Sequence, residues 1–329
     1  MNRTALLFTR QNAQIVNINK DFAAQFPSAK VCFDRANTAL GYDLAAICFN
    51  GPEAELTKTE NAQPGIFLVS WVAFQLLKER VGVQASACPP PDTLKRELQR
   101  APSLQFEAAA GLSLGEFTAL TTSDALSFED NLRLVRQRSR FMQKACDATR
   151  GSMAAIISLD EAPTRELCAE AGVGLANLNC PGQLVISGEA EKIAKACELA
   201  KAKGAKRAIP LPVANAYHSP LMASARPKLL AELAKTKIST PRLPVISNVT
   251  AQPHGAPGEI SLRLVEQVTS SVLWETSMRY LLAQGFTRFI ELGPGTALNG
   301  FMKRIDRSAQ MLNVADMASL EATVKTLGA

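Results

Sequence analysis

The chain has 329 residues, 47% of them hydrophobic and 20% charged, a composition that excludes disorder and collagen-like sequence. At about 100–200 residues per domain, this length allows one large domain, two ordinary ones, or a large domain carrying an insertion. The 36 Lys and Arg against 30 Asp and Glu leave a net charge of +6, with only 3 Tyr and 2 Trp; this is a poor match to nucleic-acid binding and a better one to an acidic partner or an anionic substrate.

No stretch approaches the roughly 18 apolar residues of a membrane span. The apolar run at residues 5–8 is too short for a signal-peptide core, so the expected location is the cytoplasm. The seven cysteines (Cys32, Cys48, Cys88, Cys146, Cys168, Cys180 and Cys197) are odd in number and contain no C-x-x-C. Neither a zinc ribbon nor a redox pair is suggested, and no metal is expected. Cys32, Cys48 and Cys197 sit in apolar or helical contexts that suit small buried side chains in a reducing compartment.

In chain order, residues 4–8 predict a short buried strand, followed by helices at 21–26 and 29–40. Residues 66–77 are apolar nearly all round (Phe67, Val69, Trp71, Val72, Phe74, Leu76), the pattern of a central buried helix. Cys88-Pro89-Pro90-Pro91 begins a loop, and residues 92–100 form a charged stretch. Residues 106–110 predict a strand that runs into Gly111 and a new helix. Ser127-Phe-Glu-Asp130 resembles a capping box and starts a long helix to about Ala148.

From Gly151 the texture changes. Strand 153–157, helix 161–170, strand 173–178, a Pro181-Gly182 turn, strand 184–187, helix 189–203 and strand 206–210 give β-α-β-β-α-β in about sixty residues, the ferredoxin-like split pattern. Alternation then resumes, with strands at 244–247, 288–292 and 311–314, which argues for a mainly parallel sheet covered by helices. The expected fold class is therefore α/β, with an inserted α+β subdomain at 150–213 inside a large domain made of 1–149 and 214–329.

The sequence Gly111-Leu112-Ser113-Leu114-Gly115 is a G-x-S-x-G between a predicted strand and a predicted helix. A sharp strand-to-helix turn lifts the serine hydroxyl clear of the sheet, and the glycines let the backbone turn without a Cβ clash. The helix start behind Ser113 offers free N–H groups, of which that of Leu114 suits an oxyanion. A nucleophilic serine needs a base at neutral pH, and the chain has only two histidines. His218 lies at the start of a helical stretch and is the expected base, whereas His254, in Gln252-Pro-His-Gly-Ala-Pro257, falls in a turn-rich segment that reads as exposed. Spacing identifies no orienting carboxylate.

In the long helix, Leu134, Val135, Phe141 and Met142 mark the apolar face. Arg138 lies three or four residues from each and so points with the core, where an unpaired charge is expensive. An anion should meet it: an internal carboxylate, or a substrate carboxylate gripped by the planar guanidinium.

With these elements in place, the chain resembles the malonyl-CoA:acyl-carrier-protein transacylases and the related acyltransferases of polyketide synthases. The matching stretches include AAGLSLGEFTAL, LVRQRSRFMQKA, NCPGQLVISGEAEKI, YHSPLM and ELGPGTALNGFMKRI, and they span nearly the whole length. The resemblance implies an α/β-hydrolase-like large domain with a ferredoxin-like subdomain. Ser113 matches the acylated serine, His218 its base and Arg138 the arginine that grips the malonyl carboxylate. Gln63 and Asn179 match pocket positions, and the backbone N–H groups of Gln11 and Leu114 match the oxyanion hole. A backbone carbonyl can orient the histidine in this family, and Leu273 is the position at which many members have glutamine. Two departures stand out: the loop glycines of Gly-Gln-Gly-x-Gln are replaced by Arg10 and Asn12, and residues 89–105 look like an insertion.

The implied reaction is ping-pong transfer of malonyl from CoA, through Ser113, to the phosphopantetheine thiol of an acyl-carrier protein. The enzyme needs no cofactor of its own and is expected to be a monomer. Basic clusters at Lys201, Lys203, Lys206 and Arg207, or at Lys95, Arg96 and Arg100, are candidate docking sites for an acidic carrier. Two alternatives remain open from sequence: a hydrolase that clears acyl groups from carrier proteins, and a non-catalytic carrier-binding subunit.

Overall fold

The computed structural model describes residues 3–11, 13–82, 105–211 and 215–328. Asn12, the Cys88 loop, the charged stretch 92–100 with Lys95, Arg96 and Arg100, and nearly all of the 89–105 segment lie outside the described residues.

Among the described residues, two sheets organise the chain. The larger has five parallel strands in the order β7-β2-β1-β8-β9: β1 (Arg3–Phe8), β2 (Phe106–Gly111), β7 (Val245–Ile246), β8 (Phe286–Leu292) and β9 (Gln310–Val314). Both faces are covered, as parallel strands require. One core contains Leu6 and Phe8 of β1, and the other contains Ala5 and Leu7. The fold is mixed α/β with a central parallel sheet and a separate antiparallel one, matching the class expected from the alternating pattern.

The antiparallel sheet has the order β4-β5-β3-β6 and is built from β3 (Gly151–Ile157), β4 (Gly174–Cys180), β5 (Gln183–Glu189) and β6 (Arg207–Pro210). Its helices are Glu161–Ala171 and Ala190–Ala202, and their apolar faces close a core of their own around Leu167, Ile186 and Ile193. Val272 joins the two parts: its N–H donates to Ala176 O at 2.8 Å and its carbonyl accepts from Leu178 N at 3.0 Å. This stitch holds β4 against the segment between the helices Pro257–Gln267 and Trp274–Ala283, in the connection from β7 to β8.

The central buried helix is longer than the apolar run suggests. It spans Thr59–Val81 and has 17 of its 23 residues buried. Pro64 sits in its second turn, where the missing N–H deprives only the Glu60 carbonyl of a helical donor. Two short helices before it, Leu44–Asn50 and Glu53–Thr57, have no clear periodicity in the sequence. The helix Phe128–Asp147 starts where expected, with the Ser127 hydroxyl accepting from Asp130 N at 3.1 Å. We number these helices α3 (Leu44–Asn50), α4 (Glu53–Thr57), α5 (Thr59–Val81) and α7 (Phe128–Asp147), after α1 (Lys20–Gln25) and α2 (Pro27–Leu40); α6 is Leu114–Thr122.

The turn from β2 into α6 leaves no room for side chains at its glycines. A Cβ on Gly115 would fall 2.1 Å from Phe8 O, and one on Gly111 would fall 1.9 Å from Gly115 C. Both neighbours are backbone, so neither contact can be relieved by a rotamer change. Gly115→Ala is expected to destabilise the fold by about 1–3 kcal/mol or more, read as a drop of several degrees in the calorimetric melting temperature. The control is Gly300→Ala, in an exposed helical turn where an added Cβ meets nothing within 4 Å; it should melt at or above the parent temperature.

Candidate active site

Ser113 occupies the turn between β2 and α6 with φ 54° and ψ −99°, a conformation that L residues rarely adopt. Its surroundings hold it there. Ser113 N donates to Asn248 Oδ1 at 2.6 Å, while Asn248 Nδ2 donates to Gly111 O at 2.7 Å, so one amide clamps both sides of the turn. Ser113 O accepts from Gln267 Nε2 at 3.0 Å. The hydroxyl therefore projects away from this framework into a cavity of about 160 Å³.

His218 brings Nε2 to 2.9 Å from Ser113 Oγ, and its Nδ1 lies 2.8 Å from Gln267 O. A carbonyl only accepts, so Nδ1 carries the hydrogen and Nε2 presents its lone pair to the serine hydroxyl. Burial, and next the Arg138 charge, push the His218 pKa down to about 4. The imidazole is thus neutral, and competent to take a proton, throughout the neutral range. The orienting carbonyl belongs to Gln267, at the C-terminal end of the helix Pro257–Gln267. The glutamine is therefore six residues before Leu273, whose own carbonyl instead accepts from Ser277 N at 2.9 Å.

Arg138 is 1% exposed. Its Nη1 donates to Gln63 Oε1 at 2.7 Å, and its Nη2 donates to Gln267 Oε1 at 2.9 Å and to Ser113 Oγ at 3.1 Å. The guanidinium carbon lies 5.1 Å from the centre of the Phe117 ring. Among the described residues Arg138 makes no ion pair, and its buried Nε has no hydrogen-bond partner. Burial lowers its pKa to about 10, which still leaves it charged at neutral pH. The helical spacing that placed this arginine with the core is correct; its direct hydrogen-bond partners are neutral, and the Glu116 carboxylate acts on it only from beyond the Gln267 amide.

The other expected positions converge on the same cavity. Gln63, on α5, donates from Nε2 to Gln11 Oε1 at 3.0 Å, tying the loop after β1 to the arginine. Gln11 lines the cavity. Leu114 contributes only backbone, since its side chain is buried in the core and its N–H, first in α6, has no helical acceptor. Asn179, at the end of β4, is buried in the lining with its Oδ1 unpartnered. Met142, Met153, Val185 and Leu211 supply the apolar wall. Arg10 also lines the cavity, and its counter-charge is Glu291. Glu291 is fully buried, accepts from Leu298 N and Asn299 N, and is pushed by burial up to about 7.

Three residues here were missed or misread from sequence. Gln267 touches the serine, the histidine and the arginine, yet nothing in its local sequence marks it. Glu116 is 0% exposed and lies behind the nucleophile. A carboxylate flanked by Leu114, Gly115, Phe117 and Ala119 on a short apolar helix is the signal that could have identified it. His254 does not lie on the surface as its turn-rich segment suggested: its side chain is fully buried, with Nε2 at 2.7 Å from Glu116 Oε1. Pro253 bridges to Ile246 and His254 N donates to Val245 O at 2.8 Å, so this segment lies against β7. Of the described basic cluster, Lys203 is partly neutralised by Glu166 and Glu170, at 3.7 and 3.8 Å.

The family model for the acyl transferase domain matches residues 96–322. The malonyl CoA-acyl carrier protein transacylase of Bacillus subtilis (strain 168) is 40% identical over 332 residues, covering 99% of this chain and 98% of that protein. The solved structure of the malonyl CoA-acyl carrier protein transacylase of Coxiella burnetii superposes with a TM-score of 0.90 at 32% identity, covering 99% of this chain and 98% of that one. A malonyl-transacylase solved with its type II polyketide synthase acyl-carrier protein gives a TM-score of 0.89 at 33% identity, covering 98% and 99%.

The depressed His218 pKa sets the pH behaviour of the serine. Protonation of Nε2 abolishes the base, so reactivity should be lost only as pH falls towards about 4, well below the usual imidazole range near 6.5. The rate of Ser113 modification by an uncharged fluorophosphonate should be flat from pH 8 to pH 5.5. A half-maximal point near 6.5 would show that the ring titrates as if exposed.

Proposed function

The chain belongs to the acyl transferase family, among the malonyl-CoA:acyl-carrier-protein transacylases, and we propose that it transfers malonyl from CoA to the phosphopantetheine thiol of an acyl-carrier protein through an ester on Ser113. The observation that carries this reading is the buried Arg138, which has neutral acceptors only and one Nη at 3.1 Å from the nucleophilic hydroxyl. A buried cation with no carboxylate in direct contact favours a ligand that brings its own anion. A carboxylate two carbons from the reacting carbonyl is such a ligand, and its bidentate grip by the guanidinium fixes the acyl group over the serine.

In the first half-reaction Ser113 Oγ attacks the thioester carbonyl while His218 Nε2 takes its proton. The N–H groups of Leu114 and Gln11 receive the oxyanion. Collapse expels the CoA thiolate, which takes the proton back from His218. The pantetheine thiol of the carrier then reverses the sequence, with His218 again as base. Gln63 and Asn179 border the malonyl group, and segment 150–213 acts as an inserted cap that supplies Asn179 and, with Met153, Val185 and Leu211, most of the apolar wall. No residue of this scheme calls for a resident metal or cofactor. The intact Ser113–His218 pair supports catalysis over a binding-only role, and Arg138 supports transfer of a carboxylated group over clearance of neutral chains.

Two measurements test the reading. Intact-mass spectrometry after brief incubation with malonyl-CoA should show a malonyl adduct that is absent in Ser113→Ala and that moves to a phosphopantetheinylated carrier protein on chase. An unlabelled enzyme that instead strips acyl groups from the carrier would make it a hydrolase. Arg138→Ala should cut the malonyl-over-acetyl preference on the order of 100-fold, as expected for loss of one partner of a buried charge pair. Retention of that preference would remove Arg138 from carboxylate recognition.

A further inference from the structure

Behind the nucleophile lies a second buried ionisable pair that the transfer scheme leaves unused. Glu116 and His254 side chains are both 0% exposed, with His254 Nε2 2.7 Å from Glu116 Oε1. Because a carboxylate oxygen accepts, Nε2 carries the hydrogen. The other carboxylate oxygen, Oε2, accepts from Gln267 Nε2 at 2.6 Å and from Asn248 N at 3.1 Å. All contacts to Glu116 are therefore donors, which suits an ionised carboxylate held by three hydrogen bonds.

Gln267 is where this pair meets the active site. Its Nε2 is held by Glu116 and by Ser113 O, and its Oε1 accepts from Arg138 Nη2 at 2.9 Å. The amide is thus a dipole with one orientation, its nitrogen toward the anion and its oxygen toward the cation. Reversing it would place an NH2 against the guanidinium and an oxygen against the carboxylate. Through this one amide, the Glu116 carboxylate fixes where the second arm of Arg138 points. Asn248, also held by Glu116, clamps the Ser113 turn.

We propose that Glu116, locked by His254, is a positioning residue that acts through the Gln267 amide to aim Arg138, and so sets the discrimination between carboxylated and neutral acyl groups. This rests on the transfer reading above and deepens it. A purely structural role for the pair would slow acylation by every acyl donor alike. A role through Arg138 weakens the carboxylated donor selectively, because a neutral acyl group makes no use of the guanidinium.

The test compares Ser113 acylation rates with malonyl-CoA and with acetyl-CoA in the parent enzyme, Glu116→Gln, His254→Leu and His254→Gln, each checked for folding by its melting curve. Glu116→Gln places a donor or a neutral oxygen where the amide of Gln267 needs an anion. It should lower the malonyl rate by about 10- to 100-fold, the usual effect of losing a hydrogen bond to a charged group, with a much smaller change for acetyl. His254→Leu should shift the ratio the same way, and His254→Gln, whose Nε2 can reach Glu116, should restore it. If Glu116→Gln does not fold, the two His254 variants decide the matter alone. Equal losses for both donors, or an unchanged ratio, would overturn the inference while leaving the transfer function standing. A parent enzyme that takes no malonyl at all would overturn both.

Discussion

One buried, unpaired guanidinium constrains the whole site. Removing a cation from water is expensive unless the protein replaces its hydration shell, and here the replacement comes from several elements at once. Gln63 reaches Arg138 from α5, Gln267 from the end of Pro257–Gln267, Ser113 from the β2–α6 turn and the Phe117 ring from α6 itself. Each acceptor or ring face must be in register for the charge to be tolerated. The elements that meet it are held rigidly: α5 is buried nearly all round, and α6 lies so close to β1 that a Cβ on Gly115 would strike the Phe8 carbonyl. The arrangement satisfies the arginine incompletely. The leftover capacity, a buried Nε without a partner and no carboxylate in contact, is what a substrate anion would use.

The nucleophile depends on the same framework. A serine at φ 54° persists only where its neighbours over-determine it. Asn248 holds the N–H of Ser113 and the carbonyl of Gly111, and Gln267 holds the carbonyl of Ser113. Gln267 also orients His218 through its main-chain oxygen. A single residue therefore touches base, nucleophile and cation through three different atoms. This economy explains why no third acidic triad member is needed: a carbonyl sets the tautomer of His218 and adds no full negative charge that would raise its pKa.

How much of this was legible in the sequence follows from the range of each interaction. The G-x-S-x-G turn is local, so its backbone demands show in neighbouring residues. Arg138 was legible because helical periodicity fixes which face a side chain shares, and a charge on the apolar face has few explanations. His218 was found by scarcity rather than pattern. Gln267 and Glu116 act through contacts 129–154 residues apart in the chain, and no local periodicity encodes those. His254 was misread because prolines and glycine report a turn, not which way a side chain within it points. Helix α5 extends beyond the apolar run at 66–77 because its first turns carry polar and small residues (Thr59, Asn61, Gln63, Gly65) that are buried all the same.

The closeness of Arg138 to His218 couples recognition to reactivity. The guanidinium and the imidazole border one cavity, and, after burial itself, the cation is the next reason the His218 pKa lies near 4. A base so weak accepts a proton reluctantly. A carboxylate arriving on Arg138 would offset that charge at its source, and His218 would become more basic as the acyl group seats. A neutral acyl group brings no such compensation, so the serine would meet a poorer base at the moment of attack. Selectivity would then arise twice from one contact: in the binding of the carboxylate, and in the proton transfer that the binding eases. The geometry requires no movement for this, only that the guanidinium and the neutral imidazole stay where Gln267 holds them.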